Sequence, residues 1–296
     1  MNYSDKKVIL VGGSGFIGTQ LSLKLLSLGA RVVVIDPRPS PLKEVAYVKS
    51  DLTSYPDNEL LENPFAIFNL AGVPIFGRWT KSYKQLVRSS RIDTTHVLVE
   101  AFQNVTYRPE YLVSTSAIGV YGDRGNDMLD ENSKTVANTY LAQVASDWET
   151  EARQANKYGV NVRIIRNAHV LGKGGILGTL RKTFMTGLGG SLGSGRQYMS
   201  FVSMDRCLNA YVSAPFEEET IKNAVSIEPI TNRDFSHMLA RLMGRPCMFR
   251  IPVWAMAIVY GEFAQEIVTS QRVFTAFEPR REELEDVLKT LLKEKK

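Results

Sequence analysis

Glycines recur at every third position in Gly12-Gly13-Ser14-Gly15-Phe16-Ile17-Gly18, between the apolar run Val8-Ile9-Leu10-Val11 and a stretch of helical periodicity over residues 20–28. A strand–turn–helix of this kind suits a dinucleotide diphosphate. The glycines permit a tight turn and a close backbone approach, and the diphosphate rests on unpaired N–H groups at the helix N-terminus. The glycine pattern alone is a weak signal, but its flanks are those the mechanism requires. Asp36 closes the next apolar run, residues 31–35. A carboxylate there can accept both ribose hydroxyls of the adenosine half and would repel a 2′-phosphate, which favours NAD over NADP. Arg38 offers the opposite choice, a guanidinium for that phosphate, or is simply a solvated side chain. Asp51 and Leu52 follow a third short strand and either contact adenine or form a turn. Asn69 to Gly72 end a fourth strand, where Leu70, Ala71 and Gly72 let a cofactor lie on the backbone. The cofactor implied is NAD or NADP.

The elements that must position these residues alternate. Apolar strands are expected at residues 8–11, 31–35, 46–48, 65–70, 111–115 and 160–166, and helices at 20–28, 83–102 and 139–158. Continuous apolar strands separated by helices predict an α/β Rossmann-type fold, a doubly wound parallel sheet covered on both faces. This domain is expected over residues 1–166, with a strand returning to it near 199–228. Residues 172–195 are Gly-rich and irregular. A late strand at 224–227 and helices at 232–243, 252–268 and 282–292 predict a smaller, mostly helical C-terminal lobe, residues 167–296, that carries most of the substrate contacts.

Composition sets the class. The chain has 296 residues, 44% hydrophobic and 23% charged, as in an ordinary globular protein rather than a disordered one. The net charge of +5 favours a small anionic ligand. It lacks the basic stripe with interleaved aromatics that a nucleic-acid binder would carry. The dense charge in Arg280, Arg281, Glu282 and Glu283, and again over residues 293–296, mixes signs and reads as a solvated helix face. Cys207 and Cys247 have no metal or redox spacing and suit a reducing compartment. The N-terminus has neither a signal nor a transit pattern. No apolar run is long enough to span a bilayer, and residues 253–260 read as a core helix. A soluble cytoplasmic protein with no membrane partner is expected; a homodimer is compatible with the sequence. No metal site and no nucleophile–base pair for acyl transfer is visible.

These motifs, with Ser114-Thr115-Ser116, resemble the extended short-chain dehydrogenase/reductase superfamily. Within it the chain is similar to an atypical NAD-dependent epimerase/dehydratase-like branch, often labelled sugar-nucleotide epimerase. The likeness runs through Asn69 to Ile75, Arg78-Trp79-Thr80, Ser90-Arg91, Gly119-Val120-Tyr121-Gly122, Trp148-Glu149, Gly187 to Gly190 and Gly193 to Gln197. It continues in Arg245-Pro246, Gly261-Glu262 and Gln271-Arg272-Val273, so it covers nearly the whole chain. The chain departs from the pattern in three places. Asp36-Pro37 stands where the branch has a Ser/Thr-Arg pair suited to NADP. An acidic pair is reduced to Asp205-Arg206, and the tail after Val273 is shortened.

The resemblance implies that Ser114 joins the cofactor set, and that hydride moves between substrate carbon and nicotinamide. A Ser and a Tyr would handle the substrate oxygen, and a Lys would lower the Tyr pKa. Ser116 and Tyr140 match the first two. The Lys position, one helical turn past Tyr140, is Val144, so the triad is incomplete. Tyr140 is then either a proton carrier or a packing residue. Arg78, Trp79, Arg196 and Gln197 are candidate substrate contacts, as is Tyr121, although an aromatic after a strand is more often core. His169 reads as a satisfied buried histidine. The expected function is an atypical oxidoreductase or epimerase acting on a small polar, anionic, nucleotide-sugar-like substrate. The rival is a dinucleotide-binding regulatory or assembly factor with little turnover, a class to which some relatives in this branch are assigned.

Overall fold

The structure is a computed structural model that describes residues 1–54, 58–277 and 281–293. Arg280 and residues 294–296 of the C-terminal charge runs lie outside the described residues. The chain begins with β1 (Lys7–Val11), α1 (Phe16–Ser27), β2 (Arg31–Asp36), β3 (Ala46–Lys49), α2 (Asn58–Leu61) and β4 (Ala66–Asn69). It continues with α3 (Lys81–Glu100), β5 (Tyr111–Ala117), β6 (Met128–Leu129), α4 (Tyr140–Arg153) and β7 (Asn161–Asn167). Next come β8 (His169–Leu171), α5 (Gly175–Met185), β9 (Gly190–Leu192), β10 (Tyr198–Ser203), α6 (Met204–Ser213) and β11 (Ile221–Ala224). The chain closes with β12 (Ile227–Thr231), α7 (Asn232–Leu242), β13 (Phe249–Ile251), α8 (Val253–Tyr260), α9 (Phe263–Ile267), β14 (Arg272–Val273) and α10 (Leu284–Lys293).

Seven strands form one parallel sheet in the order β11-β7-β5-β4-β1-β2-β3. Its two faces explain the continuous apolar strands. Val8, Leu10, Val34 and Phe68 pack with Leu21 and Leu25 of α1 and Tyr211 of α6. Ile9, Val11, Ile67 and Leu112 pack with Leu98 and Val99 of α3 and Ala152 of α4. The order reverses between β1 and β4, and ligands of such sheets bind in the crevice beyond the carboxyl ends at that point.

Helix starts follow capping. Thr80 accepts a hydrogen bond from the Tyr83 N–H and Thr139 from the Ala142 N–H, which fixes the first turns of α3 and α4. Helix α1 begins at Phe16 rather than residue 20, because the glycine turn runs straight into it.

The C-terminal lobe has its own core, centred on Phe184, Phe201, Phe235, Leu239 and Leu288. The late strand expected at 224–227 is resolved into β11, which joins the large sheet, and β12; the lobe also carries further short strands in the sheets β12-β10-β8 and β13-β9, and β14 pairs with β6 of the N-terminal half. The single helix expected at 252–268 is two, α8 and α9, broken at Gly261, whose φ is +61°. Residues 253–260 are not a core helix. Trp254, Ile258 and Val259 are 71%, 64% and 59% exposed, and Met256 is the buried residue of α8. The helix is apolar all round yet lies at the margin of a small lobe, so only one face finds a partner. No helix among the described residues is long and apolar enough to cross a membrane.

Candidate functional site

The glycine turn is built for close contact on one side and openness on the other. Gly12 has φ +80°, and a Cβ there would stand 2.8 Å from the Leu70 carbonyl carbon. A Cβ on Gly18 would stand 2.6 Å from the Gly12 oxygen, so α1 seats directly on the turn. Gly15 differs: a Cβ there would meet only the Gly12 oxygen at 3.2 Å and Arg38 Nη2 at 4.0 Å. As N-cap of α1 it offers no capping side chain, and no acidic residue lies in the first turn. The N-terminal N–H groups and the positive end of the helix dipole are therefore left without a side-chain cap or an acidic neighbour in the first turn, suited to a diphosphate. Phe16 lays its ring against Gly172, Gly174 and Gly175, and Ile17 is partly buried against the core.

Asp36 fastens the turn. Its Oδ2 accepts the Ser14 N–H at 3.1 Å and its Oδ1 the Arg38 N–H at 2.9 Å. The Asp36 side chain is 3% exposed, whereas that of Arg38 is 68% exposed and touches Asp36 only at 3.5 Å. Asp51 is exposed and closes a turn by accepting the Thr53 hydroxyl at 2.7 Å and the Thr53 N–H at 3.0 Å. The hydroxyl, then the N–H, hold its carboxyl below the ordinary carboxylate range. Leu52 is buried in the core with φ +53°.

At the ends of β4 and β5, Asn69 donates to Thr95 at 2.8 Å and accepts the Ala71 N–H at 3.3 Å. Ser114 pairs in register with Asn69; its hydroxyl is buried without a hydrogen-bond partner. Leu70 and Ala71 are partly buried, and Gly72 is exposed.

The structure does not bring Ser116 and Tyr140 together. Ser116 is buried and donates to Glu149 Oε1 at 2.7 Å. Arg166 grips both oxygens of the same carboxylate at 2.8 and 2.9 Å, and Arg153 adds a bond at 2.9 Å. Burial opposes ionisation of Glu149, but the Arg166 hydrogen bonds and charge, with those of Ser116 and Arg153, outweigh it and hold the carboxyl below its ordinary range. Tyr121 belongs to this buried network rather than to a cleft: it donates to Asn223 at 3.0 Å and accepts from Arg166 at 2.9 Å. Tyr140 lies at the other end of α4, roughly 14 Å from Glu149 along the helix axis at 1.5 Å per residue. Its hydroxyl donates to the Lys84 carbonyl at 2.8 Å. Burial pushes this phenol above its ordinary value, against the nearby charges of Lys84 and Arg88. Val144 is buried.

Of the remaining substrate candidates, Arg78 and Arg196 are exposed, with no side-chain partner among the described residues. Trp79 is buried; its indole N–H donates to the Ile75 carbonyl at 2.9 Å and its ring stacks on Phe263 at 4.9 Å. Gln197 is buried and donates to the Leu192 carbonyl at 3.0 Å, its Oε1 unpartnered. His169 packs on Phe201, and burial lowers it to about 4, so it is neutral near pH 7. No cluster of three His, Cys, Asp or Glu among the described residues is arranged for a metal.

Two residues were not singled out as site residues by the sequence. Glu149 is the hub of the Ser116 network. Arg91 of α3 places its guanidinium against Gly72, where a Cβ would stand 2.9 Å from Cζ. Each belongs to a short motif quoted above, Trp148-Glu149 and Ser90-Arg91, but spacing along the chain says nothing about the partner across it.

A seven-stranded parallel sheet with an open glycine turn at its switch point defines a Rossmann-type dinucleotide-binding protein. The sequence profile of the NAD dependent epimerase/dehydratase family matches residues 8–215, and the chain belongs to that family. The chain is 34% identical to an epimerase family protein, Mb2239, of Mycobacterium bovis, over 88% of this chain and 86% of that protein. It is similar to the human epimerase family protein SDR39U1 (isoform 2), whose crystal structure holds NADPH. The TM-score is 0.82 at 25% identity, covering 98% of this chain and 100% of that one. It shares its fold with MoeE5 in complex with UDP-glucose and NAD, at TM-score 0.80 and 21% identity over 97% of each chain. NAD(P) binding follows from the family and from the turn that fits it.

Proposed function

We propose that this protein is an NADPH-dependent oxidoreductase of the epimerase type, acting on a small polar, anionic substrate. The observation that carries the reading is the glycine turn, with Gly15 open, α1 uncapped and the Arg38 guanidinium exposed beside it. The choice of NADPH departs from what Asp36 suggests in the sequence. Both Asp36 oxygens are engaged by backbone N–H groups and nearly buried, whereas the Arg38 guanidinium, held by Asp36 only at 3.5 Å, is 68% exposed and within reach of a 2′-phosphate. Phe16, Ile17 and Gly18 would present N–H groups to the diphosphate, and Leu70, Ala71 and Gly72 would support the rest of the cofactor. The nicotinamide, when bound, supplies a hydride acceptor or donor.

Substrate recognition falls to exposed Arg78 and Arg196, which suit a carboxylate or phosphate, in line with the nucleotide sugar held by MoeE5. Ser116 holds Glu149 in this arrangement, and Tyr140 would reach a substrate oxygen only by giving up the Lys84 carbonyl. Free Cys207 and Cys247 suit a reducing compartment such as the cytoplasm. The separation of Ser116 from Tyr140, with Val144 in the Lys position, favours a second reading: a dinucleotide-binding factor that turns over little.

Titration calorimetry with both cofactors tests the first reading. NADPH is expected to bind more tightly than NADH, and Arg38→Ala should weaken NADPH by about tenfold, the scale of one lost charge-assisted contact, while leaving NADH unchanged. Tighter binding of NADH by the unmodified protein would reverse the cofactor assignment. Tight NADPH binding with no oxidation by any nucleotide sugar would favour the second reading.

A further inference from the structure

We propose that Arg91 is an anion-binding residue of this site, receiving a phosphate or carboxylate at the carboxyl edge of β4. From α3 it supplies the positive charge that α4, with Val144, lacks. The proposal rests on the dinucleotide-site reading above. Arg91 Nη1 donates to the Val87 carbonyl at 2.9 Å and Nη2 to the Val73 carbonyl at 3.0 Å. Both acceptors are neutral, and a guanidinium has five N–H groups. No carboxylate among the described residues pairs with it. Arg166 makes the contrast: more deeply buried, it is held by both Glu149 oxygens. Arg166 thus has a counter-charge; Arg91, like Arg163, is held by neutral carbonyls, but Arg91 differs from Arg163 in lying against Gly72 at the carboxyl end of β4. Burial draws Arg91 down to about 10, so it keeps its proton at neutral pH and remains a partly buried cation with no carboxylate partner among the described residues.

Its position assigns the use. Gly72, whose missing side chain leaves room for the guanidinium, lies just beyond Leu70, whose carbonyl touches Gly12 of the glycine turn. Arg91 therefore lies along the edge that a dinucleotide would follow. Its guanidinium also stands 5.5 Å from the Trp148 ring. Trp148 is one helical turn beyond Val144 on the same face of α4. The charge thus arrives beside the face that a lysine at 144 would occupy, but from the neighbouring helix. A cofactor diphosphate and an anionic substrate group share the chemistry that Arg91 recognises.

The test uses calorimetry on the full chain and its Arg91→Met and Arg91→Lys variants, with NADPH as one probe and UDP and inorganic phosphate on the NADPH-loaded protein as the others. Arg91→Met is expected to weaken one class of probe by at least about tenfold, and Arg91→Lys to recover part of the loss. Loss of NADPH affinity would assign the anion to the cofactor. Loss of UDP and phosphate with NADPH retained would assign it to the substrate. A merely structural clamp would lower the melting temperature without moving these affinities, and unchanged affinities for every probe in a folded Arg91→Met would overturn the proposal. If that variant does not fold, Gly72→Ala keeps the arginine but crowds its guanidinium, and unchanged affinities there overturn it equally. If the unmodified protein fails to bind NADPH, the cofactor reading falls, while phosphate binding to the unloaded protein still reads Arg91.

Discussion

The buried group formed by Ser116, Glu149 and Arg166 shows how one residue's role depends on partners far along the chain. Removing Arg166 leaves the buried Glu149 carboxylate with only Arg153 and the Ser116 hydroxyl, so Arg166→Met should destabilise the fold by up to about 3–5 kcal/mol in chemical denaturation. The pH dependence has a definite sign. The Glu149 carboxyl is held below its unfolded value of about 4.3, so its contribution is complete above that pH and fades as pH falls through the lower folded value. Unfolding followed below about pH 4 should therefore lose part of its pH dependence in Glu149→Gln; an identical acid limb in the two proteins would contradict the network. Tyr140→Phe removes one hydrogen bond to a carbonyl and should cost about 1 kcal/mol while leaving NADPH affinity unchanged. Turnover that survives this change would remove Tyr140 from proton transfer.

At the scale of elements, the glycine turn separates binding from folding. Gly15→Val sets a Cβ 3.2 Å from the Gly12 oxygen, which a shift of a few tenths of an ångström relieves, so the fold should persist, by circular dichroism, while NADPH binding is lost as the new side chain covers the helix N-terminus. Gly18→Ala should do the reverse, lowering the melting temperature, because its Cβ meets backbone at 2.6 Å and α1 must lift from the turn. Equal effects of the two changes on affinity would sink this division. The turn was legible in the sequence because everything it needs is local: an apolar strand, three glycines and a helix. The strands of the large sheet were legible for a related reason, since burial on both faces leaves no polar residue in runs such as Val8 to Val11. Strand β10 was not, because Tyr198–Ser203 mixes polar and apolar residues and gains its identity only by pairing with β8 and β12. Trp79 was misleading for the same reason, and Tyr121, left between cleft and core by the sequence, is buried in the core. An aromatic near a sheet edge has one appearance in sequence whether it lines a cleft or fills a core.

At the scale of the whole molecule, the C-terminal lobe latches onto the Rossmann domain beside the proposed substrate cleft. Trp79, in the loop between β4 and α3, stacks on Phe263 of α9 at 4.9 Å and meets the Tyr140 ring edge-on at 5.5 Å. Its backbone N–H donates to the Tyr260 carbonyl at 3.0 Å. Gly261 lies so close that a Cβ there would stand 2.7 Å from the Trp79 carbonyl oxygen, which fixes the break between α8 and α9 at that point. Lys84 pairs with Glu262 at 2.5 Å. Glu266 accepts the Tyr140 N–H at 2.9 Å, placing a negative charge at the positive end of α4. The exposed ion pair adds little, so the indole carries most of the latch. Trp79→Ala should cost about 3–5 kcal/mol, as for other buried tryptophans. Because the sheet has its own core, the loss should appear first as local opening rather than global unfolding. Hydrogen exchange should accelerate over residues 253–267 and at the start of α4, with β1, β4 and β5 protected as before. Acceleration across all regions alike would mean that the lobe and the sheet open as one unit, and that Trp79 stabilises the whole fold rather than the latch.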